Sequence, residues 1–247
     1  MLFDPPLLPA RLVRRYKRFF ADVVLADGRA ATAHCPNPGA MTGLADPGAE
    51  VWVAPVEGRA PSQNARRLPY RLELVRDAGT GALVGVNTGR ANGLVAEALA
   101  AGGIRPLASC ADIVRECAVA GGSRIDFRFA DAGGRICYLE VKSVTLKRDA
   151  AHPGTAEFPD AKTERGARHM AALAGLTAAG TRAIIFYLVQ RSDAARFTLA
   201  ADIDPAYAAA FAAARAAGVE ALAYACEVGT AGISVARPLP LAGPIAT

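Results

Sequence analysis

The 247 residues predict two domains, a small β-barrel followed by a larger domain of α+β and α/β character, and three observations carry that expectation. Residues 11–86 hold several short β-favouring runs broken by turn residues, with no convincing helical period. Beyond residue 87 the order becomes helix, three strands, helix, strand, the pattern of a sheet covered by helices. Within that second part, Ser123 to Ser143 reads as a hairpin that concentrates unlike charges on apolar strands.

In chain order, strands are expected at 11–17 and 19–26, with Asp27-Gly28 turning the chain back into 29–34, and then at 51–56, 70–76 and 82–86. About five short strands in so few residues suggest an OB-like barrel, assigned to residues 1–82. A helix begins at Asn87-Thr88 and runs to about residue 101, since Ala91, Leu94, Val95, Ala98 and Leu99 recur at helical spacing and Gly102-Gly103 stops it. Strands follow at 113–119, 124–130 and 135–143, then a loop at 150–160 punctuated by His152-Pro153-Gly154 and Phe158-Pro159-Asp160. A helix at 163–178 leads into 182–190, whose unbroken apolar core reads as a strand buried on both faces. A helix at 205–217 and a strand at 220–228 extend the sheet. The second domain is assigned to 83–235, and 236–247 to a C-terminal tail.

Composition narrows the class. Hydrophobic residues at 52% suffice for a core, and 28 Lys and Arg against 23 Asp and Glu give +5, a mild excess compatible with a polyanionic partner. Five cysteines, odd in number and without a CxxC pair, suit reduced core thiols better than disulfides or a zinc site, which favours the cytoplasm. Prolines interrupt the first residues where a signal peptide would be apolar, and no run of about 18 apolar residues occurs, so a soluble protein without membrane partners is expected.

The hairpin carries the sharpest chemical signal. Asp126 lies between Ile125 and Phe127 on its first strand, and Glu140 and Lys142 flank Val141 on its second, so the period of two sets each along one face. A register placing Asp126 beside Glu140 joins two carboxylates and an ammonium. Two hard oxygen ligands suit Mg²⁺ or Mn²⁺, and a lysine beside them can align a water or offset developing charge, the outfit of metal-dependent phosphodiester hydrolysis. A plain cross-strand ion pair on a solvated face would read the same way, except that this second strand is otherwise apolar.

Three further groups stand out. Arg11, Arg14, Arg15, Lys17 and Arg18, interleaved with Tyr16, Phe19 and Phe20, suit either a nucleic-acid backbone with stacked bases or a protected sheet edge; Arg66, Arg67 and Arg71 form a weaker group. His34 and Asn37 sit in a proline-rich loop that is either a structural turn or a polar loop facing the catalytic domain. On the helix starting near Thr163, Arg165, Arg168 and His169 share a face and suit phosphate contacts or ordinary surface pairing, while Gly166, costing about 1 kcal/mol against alanine, calls for a close backbone contact.

HCPNPGAMTG at 34–43, NTGRAN at 87–92, SRIDF at 123–127, LEVKSVTL at 139–146 and FPDAKTERGARH at 158–169 resemble, in order and over nearly the whole chain, the sugar fermentation stimulation protein A (SfsA) family. The resemblance implies an OB-like first domain and a second domain similar to PD-(D/E)xK nucleases, a restriction-endonuclease-like αβββαβ core with a mixed sheet. It implies binding of DNA without sequence preference, with RNA left open, and a link to the regulation of sugar metabolism. By position, Asp126 matches the metal-binding aspartate, Glu140 the second acid, Lys142 the lysine, and Glu97 the acid on the first core helix, while Ile125 replaces the usual proline. Two functions follow: a nuclease using Mg²⁺ or Mn²⁺, or a non-catalytic nucleic-acid-binding regulator on a nuclease scaffold.

Overall fold

A computed structural model describes residues 1–56, 68–119 and 122–242; Arg66 and Arg67 lie outside these. Strands β1 (Leu8–Tyr16), β2 (Phe20–Leu25) and β3 (Ala30–His34) form an antiparallel meander, and β4 (Glu50–Pro55) pairs with the other edge of β1. Strand β5 (Tyr70–Arg76) pairs with β4 and returns parallel to β3 through Ala33↔Tyr70 and His34↔Arg71. That last pairing closes a five-stranded cylinder in the order β3-β2-β1-β4-β5, the OB-like barrel expected from the sequence. Alternation along the strands turns Leu12, Val23, Val51, Val53 and Leu72 inward, where they are buried. Strand β6 (Leu83–Gly85) continues this sheet beside β5.

The second domain begins with α1 (Ala91–Ala100), followed by β7 (Ala111–Ala118), β8 (Arg124–Ala130) and β9 (Ile136–Val144). Next come β10 (Leu146–Lys147), β11 (Thr155–Phe158), α2 (Glu164–Ala178), β12 (Arg182–Val189) and β13 (Arg196–Leu199). The described chain ends through α3 (Pro205–Ala216), β14 (Glu220–Val228) and β15 (Ile233–Pro238). The main sheet runs β15-β14-β12-β9-β8-β7, parallel at its centre and antiparallel at both edges. Leu94, Val95 and Leu99 of α1 cover one face against Phe127, Leu139 and Phe186, while Met170 and Leu173 of α2 cover the other against Ile185 and Tyr187. Covered on both sides, β12 has no exposed position, as its apolar run predicted.

The segment 150–160, expected as loop, instead contains β11, which pairs with β10 and β13 in a separate three-stranded sheet. Strands of two to four residues leave no readable period, and their pairing is tertiary. Gly166 has the expected close contact: a Cβ there would meet the Tyr207 ring of α3 at 2.9 Å.

Buried ion pairs join the barrel to the sheet. Glu73 of β5 is fully buried and accepts from Arg71, Asn87 and, with both oxygens, Arg90. Arg71 is thereby bound to an acid and is not the free cation its sequence neighbourhood suggested. Arg191, 1% exposed, donates to Asp77 of the barrel and to Asp193 and the Thr145 carbonyl of the core. Removing one partner of such a pair strands a buried charge, so these contacts fix how the domains meet. Among the described residues no helix is long and apolar enough to cross a membrane.

Candidate active site at the junction of barrel and sheet

The antiparallel ladder of β8 with β9 ends at Phe127↔Leu139. One residue further, Asp126 reaches across: its carboxylate accepts from the Val141 backbone N–H at 2.8 Å and from Asn92 Nδ2 of α1 at 2.7 Å. Glu140, 3% exposed, and Lys142 follow on β9, and Lys142 Nζ donates to Glu140 Oε1 at 2.8 Å. His169 of α2 approaches the same Oε1 through Nδ1, with Lys142 Nζ 3.2 Å from that nitrogen. On its other side, Arg165 Nε donates to His169 Nε2 at 3.2 Å. A nitrogen that accepts carries no proton, so with Arg165 at Nε2 the ring presents Nδ1 as its donor to Glu140. Glu140 Oε1 thus has two donors, while Oε2 is buried without a partner.

Burial, and then the charge of Glu140, push the Asp126 carboxyl up to about 6 despite its two hydrogen bonds. Burial acts the same way on Glu140, but the hydrogen bond from His169 and the charge of Lys142 outweigh it and hold Glu140 below the usual carboxylate range. At neutral pH two adjacent carboxylates are therefore ionised around an unsatisfied oxygen, an arrangement a divalent cation relieves. Among the described residues no group of three His, Cys, Asp or Glu side chains is arranged to hold a metal. Two carboxylates with one buried oxygen unsatisfied fit a cation that takes one or two carboxylates and keeps waters for its other positions, as Mg²⁺ does.

These groups floor a cavity of about 690 Å³ lined from both domains, with Asn37, Pro38 and Gly39 of the barrel facing Asp126, Glu140 and Lys142 and with Arg18, Arg124, Lys162 and Arg165 contributing positive charge. The barrel loop is pinned from several directions. Arg15 donates to the carbonyls of Asn37, Gly39 and Ala40 at 2.8, 2.9 and 3.1 Å. Asn37 accepts from Gly39 N–H and donates to the Val86 carbonyl. From the core, Asp160 accepts from Met41 N–H at 3.1 Å, and Thr88 donates to the Pro36 carbonyl at 2.8 Å. Gly39 passes so close to Asp160 that a Cβ would lie 2.2 Å from its carboxylate.

The structure thus brings together Asp126, Glu140, Lys142, Arg165, His169, Arg18 and Asn37. It separates others. Glu97, expected beside the metal, is exposed and pairs with the Met1 amino group at 2.7 Å; the same helix presents Asn92 to the site instead. His34 is exposed beside Phe19 and does not line the cavity. Arg11 pairs with Glu50 and Arg14 with Asp22, and Arg15 holds the loop, which leaves Lys17 and Arg18 at the hairpin tip as the cations of the expected cluster without an acidic partner among the described residues. Arg168 is exposed but outside the cavity, and buried His169 orients Glu140 rather than presenting itself to a phosphate. Sequence reasoning passed over Asn92 and Asp160, although both lie inside the motifs NTGRAN and FPDAKTERGARH.

Comparison with known proteins agrees with this architecture. A family model described as the SfsA N-terminal OB domain matches residues 13–86, and one described as the sugar fermentation stimulation protein RE domain matches residues 89–232. The sugar fermentation stimulation protein homologs of Rhodospirillum centenum and Azorhizobium caulinodans are each 51% identical to this chain, over 98% of it and 99% and 100% of their own lengths. The structure of Pyrococcus furiosus SfsA in complex with Ca²⁺ is 26% identical and superposes with a TM-score of 0.83, covering 98% of this chain and 99% of the other.

Proposed function

The chain belongs to the sugar fermentation stimulation protein (SfsA) family, and from that premise we propose that it binds DNA without sequence preference and hydrolyses phosphodiester bonds with Mg²⁺ or Mn²⁺ at Asp126, Glu140 and Lys142. The observation that carries this reading is the partnerless, buried Glu140 Oε2 beside Asp126 and Lys142, in a cavity whose lining adds Arg18, Arg124, Lys162 and Arg165 alongside the acids Glu116, Glu157 and Asp160. The Ca²⁺ complex of the Pyrococcus furiosus relative supports a divalent cation here. Asp126 and Glu140 would hold the cation, which when bound supplies Lewis-acid polarisation of a phosphoryl oxygen and a water of lowered pKa.

The chain's own residues do the rest. Asn92 and the Val141 N–H keep Asp126 aimed, and His169 and Lys142 occupy Oε1 so that Oε2 stays available. The Lys142 ammonium, already at the carboxylate, aligns a nucleophile and offsets charge that develops on the phosphorane. Arg18, Arg124, Lys162 and Arg165 draw the polyanion in. Five cysteines, all free, suit a reducing cytoplasm, and a regulatory link to sugar use would act through the DNA contact.

Mn²⁺-dependent cleavage of end-labelled DNA tests the proposal: Asp126→Asn and Lys142→Ala should each abolish it, and wild-type rates in both variants would sink it. A binding-only regulator is the second reading, favoured by the fact that both Asp126 oxygens already accept hydrogen bonds. It requires no cleavage with any divalent cation, together with an affinity that falls steeply as log[salt] rises.

A further inference from the structure

The same site, if it acts on polynucleotides, is built for an unpaired strand: we propose that the substrate class is single-stranded nucleic acid, guided in by the β1–β2 hairpin tip with Phe19 as a base-stacking platform. This rests on the polynucleotide reading above and adds to it the form of the polymer. Three independent observations point there.

The first is depth. Glu140 is 3% exposed and the Lys142 side chain 12%, so the reacting phosphate has to descend to the cavity floor. The second is the roof. The loop 36–41 over that floor is tied to Arg15, Val86, Thr88 and Asp160 and is not free to swing aside. A duplex is stiff over about 150 base pairs and bends only at a cost of several kcal/mol, and it carries its phosphates in two rigidly spaced rows. A single strand can lower one phosphate into a cavity of about 690 Å³ without unpairing anything.

The third is the rim. Lys17, Arg18 and Phe19 form the hairpin tip, with Lys17 and Arg18 both in the left-handed region at φ 47° and 62°. Non-glycine residues held there store strain, which concentrates at functional positions. Arg18 lines the cavity, and its neighbour Phe19 keeps 43% of its surface in solvent, with its ring beside His34 at 6.3 Å and 30°. Tyr16 stacks on Phe20 at 5.4 Å, and the Arg14 guanidinium lies over Tyr16. Aromatic faces alternating with cations is how proteins grip unpaired strands, with each stacked base contributing through its π-face whatever its identity. Paired bases in a duplex offer no free face.

The experiment is fluorescence anisotropy in EDTA, which stops turnover, with a labelled 12-nucleotide DNA, the same strand annealed to its complement, and RNA of the same sequence. The expected result is at least tenfold tighter binding of the single strand than of the duplex. Phe19→Ala, at an exposed tip that the fold does not depend on, should weaken single-strand binding roughly 5- to 150-fold, as loss of one stacked base does, and change duplex binding less than twofold. RNA bound as well as DNA supports the unpaired-strand class. A duplex bound as tightly as or more tightly than the single strand overturns the inference while leaving the polynucleotide reading intact, and so does an unchanged Phe19→Ala; binding to none of the three overturns both.

Discussion

Replacing His169 probes how Glu140 is prepared for a cation. In the wild-type chain, His169 Nδ1 and Lys142 Nζ both hold Glu140 Oε1, and Arg165 fixes the imidazole tautomer that makes the first of these a donor. His169→Ala removes one charge-assisted hydrogen bond, worth about 1.5–3 kcal/mol, and frees the carboxylate to rotate so that Oε2 is no longer the oxygen presented. At 1.4 kcal/mol per tenfold this agrees with the roughly 10- to 100-fold loss of metal affinity seen when groups orienting a metal ligand are removed. Titration calorimetry of Mn²⁺ without nucleic acid should therefore give a Kd weakened by that factor. His169→Asn, whose amide nitrogen falls near the Nδ1 position, should recover most of the loss. Arg165→Ala, which only releases the tautomer, should fall between the two. Wild-type affinity in His169→Ala would refute the reasoning; absence of Mn²⁺ binding in the wild-type chain refutes the metal site itself.

Further outcomes follow from other contacts. With the Asp126 carboxyl raised from 3.8 to about 6 by burial and Glu140, the folded state holds its proton more tightly than the unfolded one; in the metal-free protein the contribution of this group to stability should be full below pH 4 and decline by up to about 3 kcal/mol as pH rises through 6. Asp126→Asn should lack that drop in urea titrations between pH 4 and 8; a parallel drop in both proteins contradicts the assignment. Mn²⁺ competes with the same proton, so its apparent affinity should be level above pH 7 and fall about tenfold per unit below pH 6. Burial raises the Asp193 carboxyl, but its ion pair with Arg191 prevails and holds it at about 2. That stability is present above pH 3.8 and is lost as pH falls through 2, so Asp193→Asn should cost roughly 2 kcal/mol at pH 7 and little at pH 2 by calorimetry. Gly39→Ala drives a Cβ into Asp160, so limited proteolysis should cut the 36–43 loop faster than in the wild-type chain; an unchanged rate means the loop does not need that contact.

Most of the framework was legible because its strands alternate or run fully apolar and its turns carry Asp and Gly; β14, for instance, spans Glu220–Val228 as its pattern predicts. The hairpin was legible too, but not its register: alternation set Asp126 on one face of its strand and Glu140 and Lys142 on one face of theirs, and the pairing Phe127↔Leu139 is what brings the two strands' acids together. Charge was harder to read. Arg14 looked like a phosphate contact, yet strand pairing sets it directly beside Asp22, a partner eight residues away that composition cannot pair in advance. On α1 the acid drew attention, but residues 92 and 97 lie about 140° apart around a helix, and packing on the sheet turned the amide toward Asp126. Helical spacing put Arg165, Arg168 and His169 on one face, but of the three only His169 is buried and reaches Glu140, while exposed Arg165 holds its ring and Arg168 lies outside the cavity.

The ties that hold Glu73 to Arg90, and Asp77 to Arg191, also limit how this chain can be cut or recombined. A graft that exchanges the first 86 residues for those of another barrel would leave Arg90 and Arg191 short of an acid in the interior and take away the ceiling of the cavity. Swaps that carry these pairs along, together with residues 36–41, should assemble, and the shape of the transplanted ceiling would then set the width of the opening above Glu140.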